Sequence, residues 1–164
     1  MIPVTKDERQ WFLRQLALGL VEYLGVTEPP VPVEQLLRNP PALYDDDFGV
    51  VDMFSNLWDA TFARPPSQRG SIFVRMDLTS ENRRFALARE MLSALITSKH
   101  GRKMGLSDLL LPNLRESAEY FASQLLAPEP LVDAYQTLGG DGVHFADEFG
   151  LPDWIAEERW MEAE

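Results

Sequence analysis

Three side chains within five residues hold most of the chemistry this sequence offers: Arg89, Glu90 and Ser93. A guanidinium pairs with carboxylates, a glutamate moves protons or binds a cation, and a serine hydroxyl attacks a carbonyl once a base takes its proton. For Ser93 the base is missing. The chain has two histidines, His100 and His144, and neither is spaced to serve it. There is no cysteine, which excludes thiolate metal sites and disulfides. Asp45-Asp46-Asp47 lacks the alternating oxygen ligands and closing glutamate of a calcium loop and reads as a solvated turn. Gly139-Gly140-Asp141-Gly142 has no strand before it and no P-loop lysine after it, so it reads as a turn and not a phosphate cradle.

The element that positions the three side chains is a helix predicted over residues 80–96. At about 100° per residue, Phe85, Leu87, Ala88, Met91, Leu92, Leu95 and Ile96 spread over more than half the circumference, so most of the helix is buried. The remaining arc holds Ala86, Arg89, Glu90, Ser93 and Ala94. Its small residues admit a close neighbour, and Arg89 and Ser93, four apart, share one face. Ser80 is the expected N-cap, with Glu81 at the positive end of the helix.

Around this helix the chain reads as one α+β domain. Its 164 residues and 45% hydrophobic content suffice for a single core. Thr5 and Glu8 fit a capping box ahead of a helix over 7–24, in which Trp11 is expected in the core, and Gly25 is a C-terminal stop. A proline-rich connector with a short helix at 32–38 follows. Segments 57–63 and 71–76, joined by the turn chemistry of 64–70, predict a β-hairpin, and Gly49-Val50-Val51 a third strand. Basic residues at 100–103 end the central helix. A second long helix is expected over 113–127, stopped by Pro128, then a short helix at 131–138 and a helix, glycine turn and proline-started helix over 145–160.

Charge narrows the partners. The net charge of −11 argues against tight binding to a phosphate backbone and favours a basic partner. The helix-turn-helix spacing near the end is no exception, because residues 141–164 hold eight acidic groups and one arginine, so DNA would be repelled. No apolar run approaches the roughly 18 residues needed to span a membrane, and the N-terminus lacks a secretion signal. A cytoplasmic protein with no membrane or nucleic-acid contact is the expectation.

The run Arg84-Phe85-Ala86-Leu87-Ala88-Arg89-Glu90-Met91-Leu92-Ser93 resembles the helix of ImmA/IrrE-type metallopeptidases, R-F-x-x-A-H-E-x-x-H. There, two histidines one turn apart hold zinc and the glutamate activates the metal-bound water. Glu90 keeps the place of that general base, while Arg89 and Ser93 replace the histidines. Glu116-Ser117-Ala118-Glu119-Tyr120-Phe121-Ala122-Ser123-Gln124-Leu125-Leu126-Ala127-Pro128 resembles the second signature, E-A-N-x-F-A-x-x-L-L-x-P, whose glutamate is the third ligand. The register puts that position at Ser117, with Glu116 and Glu119 as displaced candidates. The closing segment resembles the same family, so the resemblance covers residues 71–159 with its signatures in order.

The resemblance implies a zincin-like helical bundle with a hairpin or small three-stranded sheet packed on the two signature helices. It divides residues 1–164 into a helical part (1–44), the sheet with the signature helices (45–128) and closing helices (129–164). It also implies that the strand just before the first signature helix offers an edge to a peptide. All three ligand positions depart from the pattern. The expectation is therefore a catalytically inactive relative without cofactor, with Glu90 inert, acting in regulation by binding a protein such as a basic helix-turn-helix repressor. Arg89 would either plug the old site against Glu90, Glu116 or Glu119 or reach solvent past its small neighbours. The alternative is an active zinc peptidase with relocated ligands.

Overall fold

The computed structural model describes residues 4–44, 49–54, 57–66 and 68–164, so the Asp45–Asp47 turn lies outside the described residues. The architecture is α+β, a small mixed sheet against a largely helical body. The chain begins with α1 (Lys6–Leu24), whose capping box is complete: the Thr5 hydroxyl accepts from Glu8 N–H at 3.2 Å, and the Glu8 carboxylate accepts from Thr5 N–H at 2.7 Å. Gly25 closes the helix at φ 67°, a left-handed turn that favours glycine.

Trp11 is not in the core; it is 58% exposed. The buried stripe is Leu13, Ala17, Leu20 and Val21, spaced i, i+4, i+7, i+8, and that register turns residue 11 outward. Next come α2 (Val33–Arg38) and a single 3-10 turn, Ala42–Tyr44.

Three strands follow, β1 (Val50–Met53), β2 (Ala60–Ala63) and β3 (Ser71–Arg75), in the order β1-β3-β2. The expected hairpin forms: β2 runs antiparallel to β3, with Ala60 opposite Val74 and Phe62 opposite Ile72. β1 lies parallel on the other side of β3, Val50 opposite Ile72. This corrects one expectation. The strand preceding the central helix, β3, is the middle strand, and the free edge near that helix belongs to β2.

The helix α3 (Ser80–Thr97) is the centre of the packing. Its N-cap is Thr79, one residue before the expected Ser80, with the hydroxyl accepting from Asn82 N–H at 3.2 Å. Nine of its side chains are buried, Ala86 and Ala94 among them, because sheet and helices meet it on several sides. Arg84 ties distant segments to it, donating to the carbonyls of Val31 at 2.8 Å and Gly150 at 3.2 Å.

The residues expected only to end α3 form a short helix of their own, α4 (Lys99–Lys103), where Gly101 packs so closely that a Cβ would lie 2.2 Å from the Leu95 carbonyl oxygen, and a further short helix, α5 (Leu106–Leu110), follows. The second long helix, α6 (Leu114–Leu126), packs on both α1 and α3. The closing segments are α7 (Glu129–Thr137), α8 (Gly142–Phe149) and α9 (Asp153–Ala163). Among the described residues, no helix is long and apolar enough to cross a membrane.

Leu92 is fully buried on α3 and Trp11 is not. Leu92→Ala is expected to cost about 2–5 kcal/mol through transfer and cavity terms, and Trp11→Ala within about 0.5 kcal/mol. Urea unfolding of the two variants tests this; equal losses would contradict the placement of Trp11.

Candidate functional site

Arg89 and Glu90 project from the middle of α3 towards the free edge of β2. Both are mostly buried, with side chains 19% and 17% exposed. A guanidinium so placed needs acceptors, and it has them. Its Nη1 donates to Asp59 Oδ2 at 3.0 Å and Nη2 to Asp59 Oδ1 at 2.7 Å, the two-pronged pairing that the planar fork favours. Its Nε donates to Glu90 Oε1 at 3.2 Å, and Nη2 also reaches the Ala60 carbonyl at 3.4 Å.

Asp59 precedes β2 and is held in place by its own neighbour, because Asp59 Oδ1 accepts from Ala60 N–H at 2.7 Å. Of the carboxylates expected to meet Arg89, Glu90 does so. Glu116 does not; it pairs with Lys6 of α1 at 3.2 Å. Glu119 does not either; it lies 3.7 Å from Arg115, one turn away on its own helix. Asp59 was missed, since nothing in the spacing relates residue 59 to residue 89; only the pairing of β2 against α3 brings them together.

The cluster forms one side of a groove of about 440 Å³. Asp59, Ala60 and Thr61 line it from the sheet, Arg89, Glu90 and Ser93 from α3, and Leu114, Arg115, Ala118 and Glu119 from α6. Trp58, 59% exposed, stands at its rim beside Leu57, 79% exposed. Four of the singled-out residues thus share one groove: Arg89, Glu90, Ser93 and Glu119.

Ser117 is not among them. It is 3% exposed and lies about 130° round α6 from the middle of the groove wall. Glu116 lines a separate, smaller pocket between α1, α6 and α9. His100 packs edge-on to Tyr44 and His144 pairs with Asp141, so neither histidine is at the groove.

The electrostatics follow from burial and pairing. Burial pushes the Asp59 carboxyl up, but the hydrogen bonds and charge of Arg89, helped by Ala60 N–H, outweigh it and hold Asp59 below its ordinary value. Glu90 goes the other way: burial raises it, and Arg89 and the Phe62 N–H offset this only in part. The Arg89 guanidinium, disfavoured by burial, is kept charged by Asp59 and Glu90.

A catalytic zinc centre needs three converging protein donors and an open position. Among the described residues no three of the histidine, aspartate and glutamate side chains converge in that way. At the groove the two nearest carboxylates already grip a guanidinium. This donor set does not fit the ion.

No family model matches the chain, and no curated protein is similar to it in sequence. Among solved structures, a Mycobacterium tuberculosis transcriptional regulator shares the fold with a TM-score of 0.66 at 16% identity. The alignment covers 93% of this chain and 48% of the regulator, so this chain corresponds to about half of that protein's length.

Arg89→Ala is expected to destabilise the protein by about 1–3 kcal/mol at neutral pH, because Asp59 and Glu90 lose their shared partner in a half-buried setting. The loss is pH-dependent with a definite sign. Asp59 is depressed, so its contribution is present above its ordinary 3.8 and disappears as pH falls through the lower folded value. Glu90 is raised, so its contribution is present below its ordinary 4.5 and is lost as pH rises through the higher folded value. The gap between wild type and Arg89→Ala should therefore narrow in acid. Urea midpoints measured across pH decide this; a gap independent of pH would contradict the pairing.

Proposed function

We propose that this chain is a non-catalytic relative of the ImmA/IrrE-type metallopeptidases that acts in regulation by binding a basic protein, a helix-turn-helix repressor being the partner class that the resemblance points to. The observation that carries this reading is Arg89. It occupies the place of the first metal ligand on the signature helix, and its fork is closed on Asp59. A cationic side chain there supplies positive charge where the family uses a metal ion, but it has no lone pair to coordinate one and does not acidify a water molecule.

What remains is a binding surface. The groove is open, has an exposed tryptophan at its rim, and belongs to a chain of net charge −11. Exposed tryptophans beside a groove are common anchors for a protein partner. The acidic C-terminal region adds to the attraction for a basic partner, since the single arginine within it, Arg159, is buried at 4% exposure. The description of the M. tuberculosis neighbour as a transcriptional regulator is in keeping with a regulatory role.

A second reading rests on one observation: Asp59, Glu90 and Glu119 line the same groove, and a zinc peptidase with relocated ligands would need its donors around one cavity. Against it, Asp59 and Glu90 are bound to Arg89, and Glu119 sits by Arg115.

Two measurements separate the readings. Metal analysis of the purified protein is expected to find no stoichiometric zinc; zinc or peptidase activity that disappears in Glu90→Gln or Glu119→Gln would establish the second reading. A photoreactive residue in place of Arg115, on the groove wall and 93% exposed in its side chain, is expected to crosslink in cells to a DNA-binding repressor. Crosslinking of such a repressor from Lys103 on α4 but not from position 115 would overturn the groove as the docking site.

A further inference from the structure

The antiparallel ladder decides which backbone groups of β2 face the groove. Arg75 N–H donates to the Asp59 carbonyl at 2.9 Å, so Asp59 and Arg75 form a hydrogen-bonded pair. Hydrogen-bonded pairs recur every second residue. Thr61 and Ala63 therefore also turn their backbone groups to β3, and Ala60 and Phe62 turn theirs to the free edge.

Free edges of this kind recruit a further strand, from a peptide or from another copy of the same chain. Here the edge is already engaged. Ala60 N–H donates to the Asp59 carboxylate at 2.7 Å, the Ala60 carbonyl accepts from Arg89 at 3.4 Å, and Phe62 N–H faces Glu90. All three partners belong to the one cluster that Arg89 holds together. The surroundings are otherwise suited to association, with Leu57 and Trp58 exposed immediately before the strand.

We propose that the Asp59–Arg89–Glu90 cluster is an edge cap: it closes β2 against an incoming strand, and its removal opens that edge to the β2 of a second copy of this chain. Two antiparallel β2 strands related by a two-fold axis present the same outward groups to each other, so the contact is self-complementary. The cap also restricts the groove. A segment that relies on strand addition finds no free backbone partner at Ala60, whereas a helix brings its own hydrogen bonds satisfied. The cap acts on the strand edge whatever partner the groove takes.

The test uses Asp59→Ala/Arg89→Met, which replaces both members of the two-pronged ion pair by apolar groups and leaves Glu90, which burial already pushes towards its neutral form, as the one carboxylate without its guanidinium. Arg89→Met alone serves as the companion variant. Sedimentation velocity is run from micromolar to sub-millimolar protein, with amide hydrogen exchange read at Ala60 and Phe62. Wild type is expected to stay monomeric with both amides protected.

In the dilute double variant the Ala60 amide should exchange about tenfold faster or more, as its cap is lost. At high concentration the variant should dimerise, with protection returning at Ala60 and Phe62. A folded double variant that remains monomeric throughout overturns the proposal. So does dimerisation that leaves the two amides unprotected, because that contact would run through the apolar rim and not the strand edge. If Arg89→Met alone unfolds, the double variant decides.

Discussion

Arg89 projects from the most deeply packed helix of the protein, and a guanidinium in such a place must have its charge met. Removing an ion from water costs several kcal/mol even after the surroundings relax, unless hydrogen-bonded countercharge replaces the lost solvent. Here the replacement is unusually complete, with a two-pronged pairing to Asp59, a third bond to Glu90 and a fourth to a backbone carbonyl. Asp59 can supply it only because β2 pairs antiparallel with β3 and so presents its first residues beside α3. The position of the sheet edge and the chemistry of the groove are thus one constraint.

The same constraint decides what the groove offers chemically, because its carboxylates from β2 and α3 are both committed to one guanidinium. The Glu90 carboxylate accepts from Arg89 Nε and faces Phe62 N–H. Ser93 adds a hydroxyl with no histidine in the groove to activate it. On the opposite wall, α6 offers Leu114 and Ala118 with the Arg115–Glu119 pair, a mixed apolar and charged surface.

Much of the fold was legible in the sequence because its signals were local. The Thr5–Glu8 capping box, the glycine after α1, the hairpin chemistry at 64–70 and the strong periodicity of α3 each depend on a few neighbouring residues, and each element forms where its signal lies. Trp11 lies outside the core, against the expectation from its residue type, because Gln15 and Glu22 further along its face are exposed and the buried stripe runs through Leu13 and Ala17. The order of the strands is not legible: alternation predicts strands but is silent on which lies in the middle, and the edge role of β3 was implied by the resemblance alone.

The site was half legible for the same reason. Arg89, Glu90 and Ser93 follow from helical spacing, and Glu119 joins them across the groove. Asp59 has no local signature, since its role arises from a contact thirty residues away in sequence. Ser117 was matched by pattern, and the orientation of α6 places it away from the groove wall. The measurement that reaches the centre of this account is a double-mutant cycle on Arg89 and Asp59, with unfolding free energies for wild type, the two single alanine variants and the double. Truncating either partner should strand the other, so a coupling of about 1–3 kcal/mol is predicted. A coupling below about 0.5 kcal/mol, with additive single effects, would mean that Arg89 reaches solvent independently and that the ion pair does not hold β2 to α3 as described.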